Sequence, residues 1–266
     1  MENGVSVDDF PQPGKLDSSV ATPCGLENVV PLPPVGIGVR LWWATLERPR
    51  DEVAVLTRLL SREELARAQR FGTEPLRLRW IVGRSTLRTL LGQALGIAPS
   101  AVMLARGRRG RPQLGTQLAT TSLDFNVSHT RGMALIGIAQ GLPAGLRIGV
   151  DVEHGERQVN ADGLSRKFLS AREQAALAPL TADQRRRAFL RLWTCKEAMS
   201  KATGDALSAP FRHLDVAPTH AGPALIAGPA PYLPADWVLH EAAMPDGFIA
   251  TVAAWQSDAA RGTGNP

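Results

Sequence analysis

Twice along the chain a capped helix leads into a longer helical stretch that stops at a glycine, with strands on either side. Ser61 and Glu64 form a capping box ahead of an Arg-rich helix to about Phe71. A longer helix follows over 76–95, with Leu87, Leu90, Leu91 and Leu95 at helical spacing and Gly96 as its stop. Ser170 with Glu173 and Thr181 with Gln184 cap a second pair. The latter helix runs through Phe189, Leu192 and Trp193 to Ala202, before Gly204. Alternating runs frame the first pair: VGIGVRLWWATL from Val35, then Val102–Ala105, Leu123–Val127 and Met133–Ala139. Arg147–Glu153, Leu214–Ala217, Trp237–Ala243 and Gly247–Trp255 frame the second. Each half thus predicts strand, helices and strands: an α+β fold from two similar units, with no letter-for-letter repeat. The turn-forming segment GLPAGLR divides them into 37–141 and 142–257. Six prolines among small and polar residues mark 1–36 as a disordered leader, and 258–266 as a loose tail.

With 44% hydrophobic and 21% charged residues, wholesale disorder is excluded. No apolar run reaches the roughly 18 residues that span a bilayer, and MENGVSVDDF lacks a signal peptide's basic start and apolar centre. A soluble, cytoplasmic protein is expected. Cys24 and Cys195 make neither a metal-ligand spacing nor a disulfide framework. A net charge of +5 and a pI near 9.8 suit a polyanionic partner, whether nucleic acid, anionic cofactor or acidic protein, without choosing among them.

Four stretches could carry chemistry. In Ile148-Gly149-Val150-Asp151-Val152-Glu153 the two acids share a strand face, and such a pair repels unless a cation, Mg²⁺ or Mn²⁺, sits between. The plain alternative is a solvated strand end. In Trp193-Thr194-Cys195-Lys196-Glu197-Ala198-Met199-Ser200-Lys201, Glu197 and Lys201 lie one turn apart, which an ordinary amphipathic helix also explains. Phe125-Asn126-Val127-Ser128-His129-Thr130 ends a strand in two groups able to hold a phosphate, though a lone loop His is more often inert. Arg106-Gly107-Arg108-Arg109-Gly110-Arg111-Pro112 is a cationic loop that could grip phosphates or simply be solvated. It contains no aromatic for base stacking. Arg67, Arg70, Arg77, Arg79 and Arg84 add a basic flank. Walker A, G-x-G-x-x-G and H-E-x-x-H patterns are absent from the sequence.

Taken in order, G-R-P, N-V-S-H, G-V-D-V-E and, with Glu197 46 positions after Asp151, W-T-C-K-E-A-M-S-K resemble the 4′-phosphopantetheinyl transferase superfamily. The likeness is to its longer, pseudo-dimeric, surfactin-synthetase-activating type, over about 35–255. It implies two α/β subdomains related by a pseudo-twofold axis, with coenzyme A in the cleft between them. It further implies transfer of the phosphopantetheine arm to a serine of an apo acyl, peptidyl or aryl carrier protein, as in fatty acid, polyketide or non-ribosomal peptide biosynthesis, with release of 3′,5′-ADP. Carried over by position, Asp151, Glu153 and Glu197 would hold Mg²⁺, and Lys201 would contact the phosphates. Ser128 and His129 would take the 3′-phosphate, and Arg67, Arg79 and Arg111 the nucleotide, Arg111 standing where the family often has lysine. Glu197, or a water that it orients, is the candidate base. A monomer that binds neither nucleic acid nor membrane is expected. The competing readings are a metal-dependent phosphohydrolase using the same acids, and a basic nucleic-acid-binding module.

Overall fold

The computed structural model describes residues 26–35, 38–118, 121–143 and 145–256. The first half carries strands β1 (Val29–Val35) and β2 (Val39–Thr45), helices α1 (Arg50–Leu56), α2 (Arg62–Ala68) and α3 (Glu74–Leu95), then β3 (Leu104–Arg106), β4 (Pro112–Leu114), β5 (Leu123–Thr130) and β6 (Met133–Gln140). The second runs β7 (Leu146–His154), α4 (Ala161–Phe168), α5 (Ala171–Leu177), α6 (Ala182–Thr203), β8 (Asp215–Thr219), β9 (Gly222–Ala227), β10 (Trp237–Glu241) and β11 (Phe248–Gln256). One sheet is ordered β1-β2-β6-β5 and the other β10-β11-β7, with two small hairpins, β3-β4 and β8-β9. The mixed α+β class and the repeated unit are as expected. In each half a seven-residue helix with a complete capping box precedes a 22-residue helix closed by a left-handed glycine, Gly96 or Gly204. Among the described residues no helix is long and apolar enough to cross a membrane.

One boundary needs correction. Val29–Val35 falls within the expected leader, yet it is a strand, paired antiparallel to β2. Pro31, Pro33 and Pro34 are tolerated because β1 is an edge strand, where a missing N–H breaks no ladder on the open side. The single strand expected from Val35 becomes β2 alone, with Gly38 turning at φ 70° before it. Residues 1–25, Cys24 included, lie outside the described residues, as do Ile37 and 257–266.

Each long helix covers one face of its own sheet. Leu87, Leu90 and Leu91 of α3 pack on Phe125, Ile136 and Ile138, while Ala198, Met199 and Ala202 of α6 pack near Trp237, Leu239 and Ala253. The remaining faces meet, Val39, Leu41 and Leu135 against Ile148, Val150 and Val252. Burying one such leucine contributes about 1.5–3 kcal/mol, so this shared core binds the halves into one body.

The edges β5 and β7 also meet, but by side chains. Asp124 Oδ2 accepts from the Ile148 N–H at 2.8 Å, Asn126 Oδ1 from Val150 at 3.1 Å and Ser128 Oγ from Val152 at 3.3 Å. Both series advance two residues at a time, so the strands run parallel, and alternate side chains of β5 do the work of carbonyls. The last rung, Ser128, also donates to Asp151.

Candidate active site

Strand β7 places Asp151 and Glu153 on one face, and helix α6 crosses that face to add Glu197 and Lys201. The crossing is close because residue 149 is glycine. A Cβ there would stand 1.9 Å from the Ala198 carbonyl oxygen and 2.7 Å from the Ala202 nitrogen. The helix is pinned by Lys196, wholly buried, whose ammonium donates to Glu173 at 2.6 Å and to the carbonyls of Phe168, Phe211 and Leu214. Glu173 is the capping-box acid of α5, so one side chain ends a helix and anchors its neighbour. Lys196 is structural; Lys201, five residues on and turned to another side of the helix, faces Asp151.

Lys201 Nζ donates to Asp151 Oδ1 at 2.6 Å, to Ser128 Oγ at 2.8 Å and to the Val150 carbonyl at 3.2 Å. Ser128 donates to the same Asp151 oxygen at 2.9 Å. Its one proton and both lone pairs are thus engaged, which turns it toward Asp151 rather than outward to a phosphate. Arg157 pairs with Glu153. Burial and the neighbouring Asp151 raise the Glu153 carboxyl, and the same causes push Glu197 up to about 6. Glu153 and Glu197 therefore both feel the charge of Asp151.

Whether these residues suit a divalent cation can be judged from their free atoms. Asp151 Oδ2 and Glu197 Oε1 are buried without a hydrogen-bond partner. A buried carboxylate oxygen lacking a donor is costly, and a hard cation is its natural counterpart. Among the described residues no three His, Cys, Asp or Glu side chains are gathered tightly enough to hold a metal as they stand. Lys201 holds Asp151 Oδ1 and Arg157 holds Glu153. The donor set fits Mg²⁺ chemically, with two oxygens available and a third carboxylate one ion pair away.

The remaining expected contacts are dispersed. His129 keeps part of its surface open but packs its ring against α3, where a Cβ on Gly83 would lie 3.6 Å from Nε2. Burial, with Lys201 nearby, holds its imidazole down at about 4, so the ring is neutral at pH 7. Arg67 stacks over Trp80 and, with Arg70, Phe71, Arg106 and Glu63, lines an open cavity of about 570 Å³. Arg79 is paired with Glu47 at 2.5 Å. Arg111 is buried between the halves, bonded to Lys201 O, Asp124, Phe125 O and Ile148 O. Sequence reading missed Arg157 and the ladder residues Asp124 and Asn126; the polar-apolar alternation of L-D-F-N-V-S-H was the available signal for the ladder.

Residues 147–253 match the model of the 4′-phosphopantetheinyl transferase superfamily, and residues 44–139 that of the 4′-phosphopantetheinyl transferase N-terminal region. The chain is 37% identical over 216 residues to the 4′-phosphopantetheinyl transferase HetI of Nostoc sp., spanning 81% of this chain and 86% of that one. To a 4′-phosphopantetheinyl transferase of Bacillus subtilis it is 24% identical over 180 residues, 67% of this chain and 76% of the other. A crystal structure of a holo-(acyl-carrier-protein) synthase from Bacillus anthracis in complex with CoA (3′,5′-ADP) covers 42% of this chain and 96% of its own, at 20% identity and a TM-score of 0.33. With both halves of the chain matched and the motif acids drawn together across β7 and α6, the protein belongs to the 4′-phosphopantetheinyl transferase superfamily, as a transferase of its pseudo-dimeric type.

Proposed function

We propose that the protein transfers the 4′-phosphopantetheine arm of coenzyme A to a serine hydroxyl of an apo carrier protein and releases 3′,5′-ADP. The observation that carries this reading is the convergence of Asp151, Glu153, Glu197 and Lys201, with two buried carboxylate oxygens left unpartnered. Asp151, Glu153 and Glu197 would hold Mg²⁺, which when bound supplies neutralisation of the pyrophosphate charge. Lys201 adds a fixed ammonium beside the same phosphates, since its position is already set by three hydrogen bonds. Glu197, or a water that it orients, is the candidate base for the serine proton. The cavity of Arg67, Arg70 and Arg106 suits the nucleotide end of the coenzyme, with Arg79 on the same flank and His129 as a neutral donor nearer Lys201. An excess of basic side chains also suits an acidic carrier. We place the protein as a monomer in the cytoplasm.

The test is mass spectrometry of apo acyl, peptidyl and aryl carriers incubated with protein, Mg²⁺ and coenzyme A. An added phosphopantetheine on at least one is expected. No adduct on any, or coenzyme A cleaved without a carrier, overturns the proposal. Glu197→Gln is expected to abolish transfer while its circular dichroism and melting stay near wild type; full activity would remove Glu197 from the site.

A further inference from the structure

In the loop between β3 and β4, Arg109 and Arg111 are not free phosphate-gripping side chains. Helix α6 ends at Thr203, and its last carbonyls have no partners inside the helix. One of these carbonyls, and one in the turn just beyond the helix, are met from the other half. Arg111 Nε donates to the Lys201 carbonyl at 2.9 Å, and Arg109 Nη1 donates to the Asp205 carbonyl at 3.3 Å and to its carboxylate at 2.7 Å. Positive charge at the C-terminal end of a helix is favourable for the same reason that the carbonyls are unmet. The other arm of Arg111, Nη2, reaches Asp124 at 2.8 Å, the Ile148 carbonyl at 2.9 Å and the Phe125 carbonyl at 3.3 Å. One planar fork thus joins β5, β7 and the last turn of α6. Arg111 sits 9% exposed, with Nη1 its one unpartnered nitrogen.

We infer that Arg111, assisted by the Arg109–Asp205 pair, is a positioning residue that sets Lys201 against Asp151 from the opposite half, rather than a ligand of the coenzyme. The link is direct, because Arg111 grips the main chain of Lys201 while the Lys201 ammonium grips Asp151. A lysine at 111 would offer donors from one point and could not span the Lys201 carbonyl and the strands together.

The inference rests on the transferase reading, and the experiment separates the two. Arg111→Ala and Arg111→Lys are compared with wild type, and with each in a Lys201→Met background, for kcat, KM for coenzyme A, and coenzyme A affinity by calorimetry without carrier. Arg111→Ala is expected to lower kcat at least tenfold with KM and affinity for coenzyme A within about threefold, with Arg111→Lys between it and wild type. Adding it to Lys201→Met should cost little more, since both changes break one linkage. A tenfold or greater loss of coenzyme A affinity at nearly unchanged kcat, or a fully multiplicative double variant, overturns the inference. If Arg111→Ala does not fold, Arg109→Ala is measured instead, and a smaller fall in kcat, twofold to fivefold, is expected at unchanged coenzyme A affinity. No fall overturns the assignment. Amide hydrogen exchange across 200–205 reads the linkage without catalysis: faster exchange in Arg111→Ala supports it, and unchanged exchange removes it. A wild type that neither binds coenzyme A nor modifies a carrier sinks the transferase reading itself, before any variant is compared.

Discussion

Asp151 shows how one side chain can be held half-satisfied. Its Oδ1 receives Ser128 and Lys201, and its Oδ2 receives nothing. That asymmetry is built by the surroundings, since the β5 ladder fixes Ser128 and α6 fixes Lys201. His129, next to Ser128, is different in kind, being a titratable ring with no ionic partner among the described residues to hold its proton. Its pKa is depressed to about 4 against an ordinary 6.5, mainly by burial. Above pH 6.5 both folded and unfolded chains are neutral here and the residue contributes no pH dependence. As pH falls from 6.5 toward 4, the unfolded chain takes up a proton that the folded one refuses, so stability falls. Urea midpoints measured between pH 7 and 4.5 should decline, and less steeply in His129→Asn. Equal slopes would show that His129 is not the group responsible.

At the scale of elements, the site depends on how closely α6 approaches β7. Gly149→Ala places a methyl carbon on helix backbone, which cannot swing aside as a side chain can. Loss of about 1–3 kcal/mol or more is expected, with transfer lost even at temperatures where the variant remains folded; melting and the carrier mass assay together check it. The ladder makes a second prediction. Asn126 is buried and accepts from the Val150 N–H. Asn126→Leu leaves that donor unpaired at an edge where no neighbouring carbonyl replaces it, at a cost of about 1–3 kcal/mol by denaturant unfolding. A wild-type midpoint would mean the strands are held by the apolar core alone. These elements also show what local sequence reveals. The capping boxes at Ser61, Ser170 and Thr181 and the left-handed stops at Gly96 and Gly204 were legible because every partner lies within four residues. Strand β1 was not, because V-V-P-L-P-P-V has the composition of a loop and becomes a strand only when β2 offers it an edge.

For the whole molecule, charge and duplication act together. Arg67, Arg70 and Arg106 line an open cavity, and Arg109 and Arg111 of the loop after β3 bind the second half. An encounter with an acidic carrier steered by the exposed cations should weaken with salt. Raising ionic strength from about 0.05 M to about 0.5 M is expected to lower kcat/KM for the carrier while leaving kcat nearly constant, as screening of an approach step requires. A fall confined to kcat would locate the salt effect in chemistry instead.

The mixed α+β class, the two-unit plan and the helix caps follow from the amino-acid order alone, since periodicity, capping and motif spacing are properties of neighbouring residues. Tertiary structure alone decided that Arg111 faces inward, that Ser128 serves Asp151, that Arg157 holds Glu153 and that a proline-rich run is a strand. In all but one of these the side chain or strand bonds to a segment outside its own element, and in Glu153–Arg157 the chain must leave the strand and turn back. No pattern along one dimension records which donor will arrive at a given acceptor once the halves have closed.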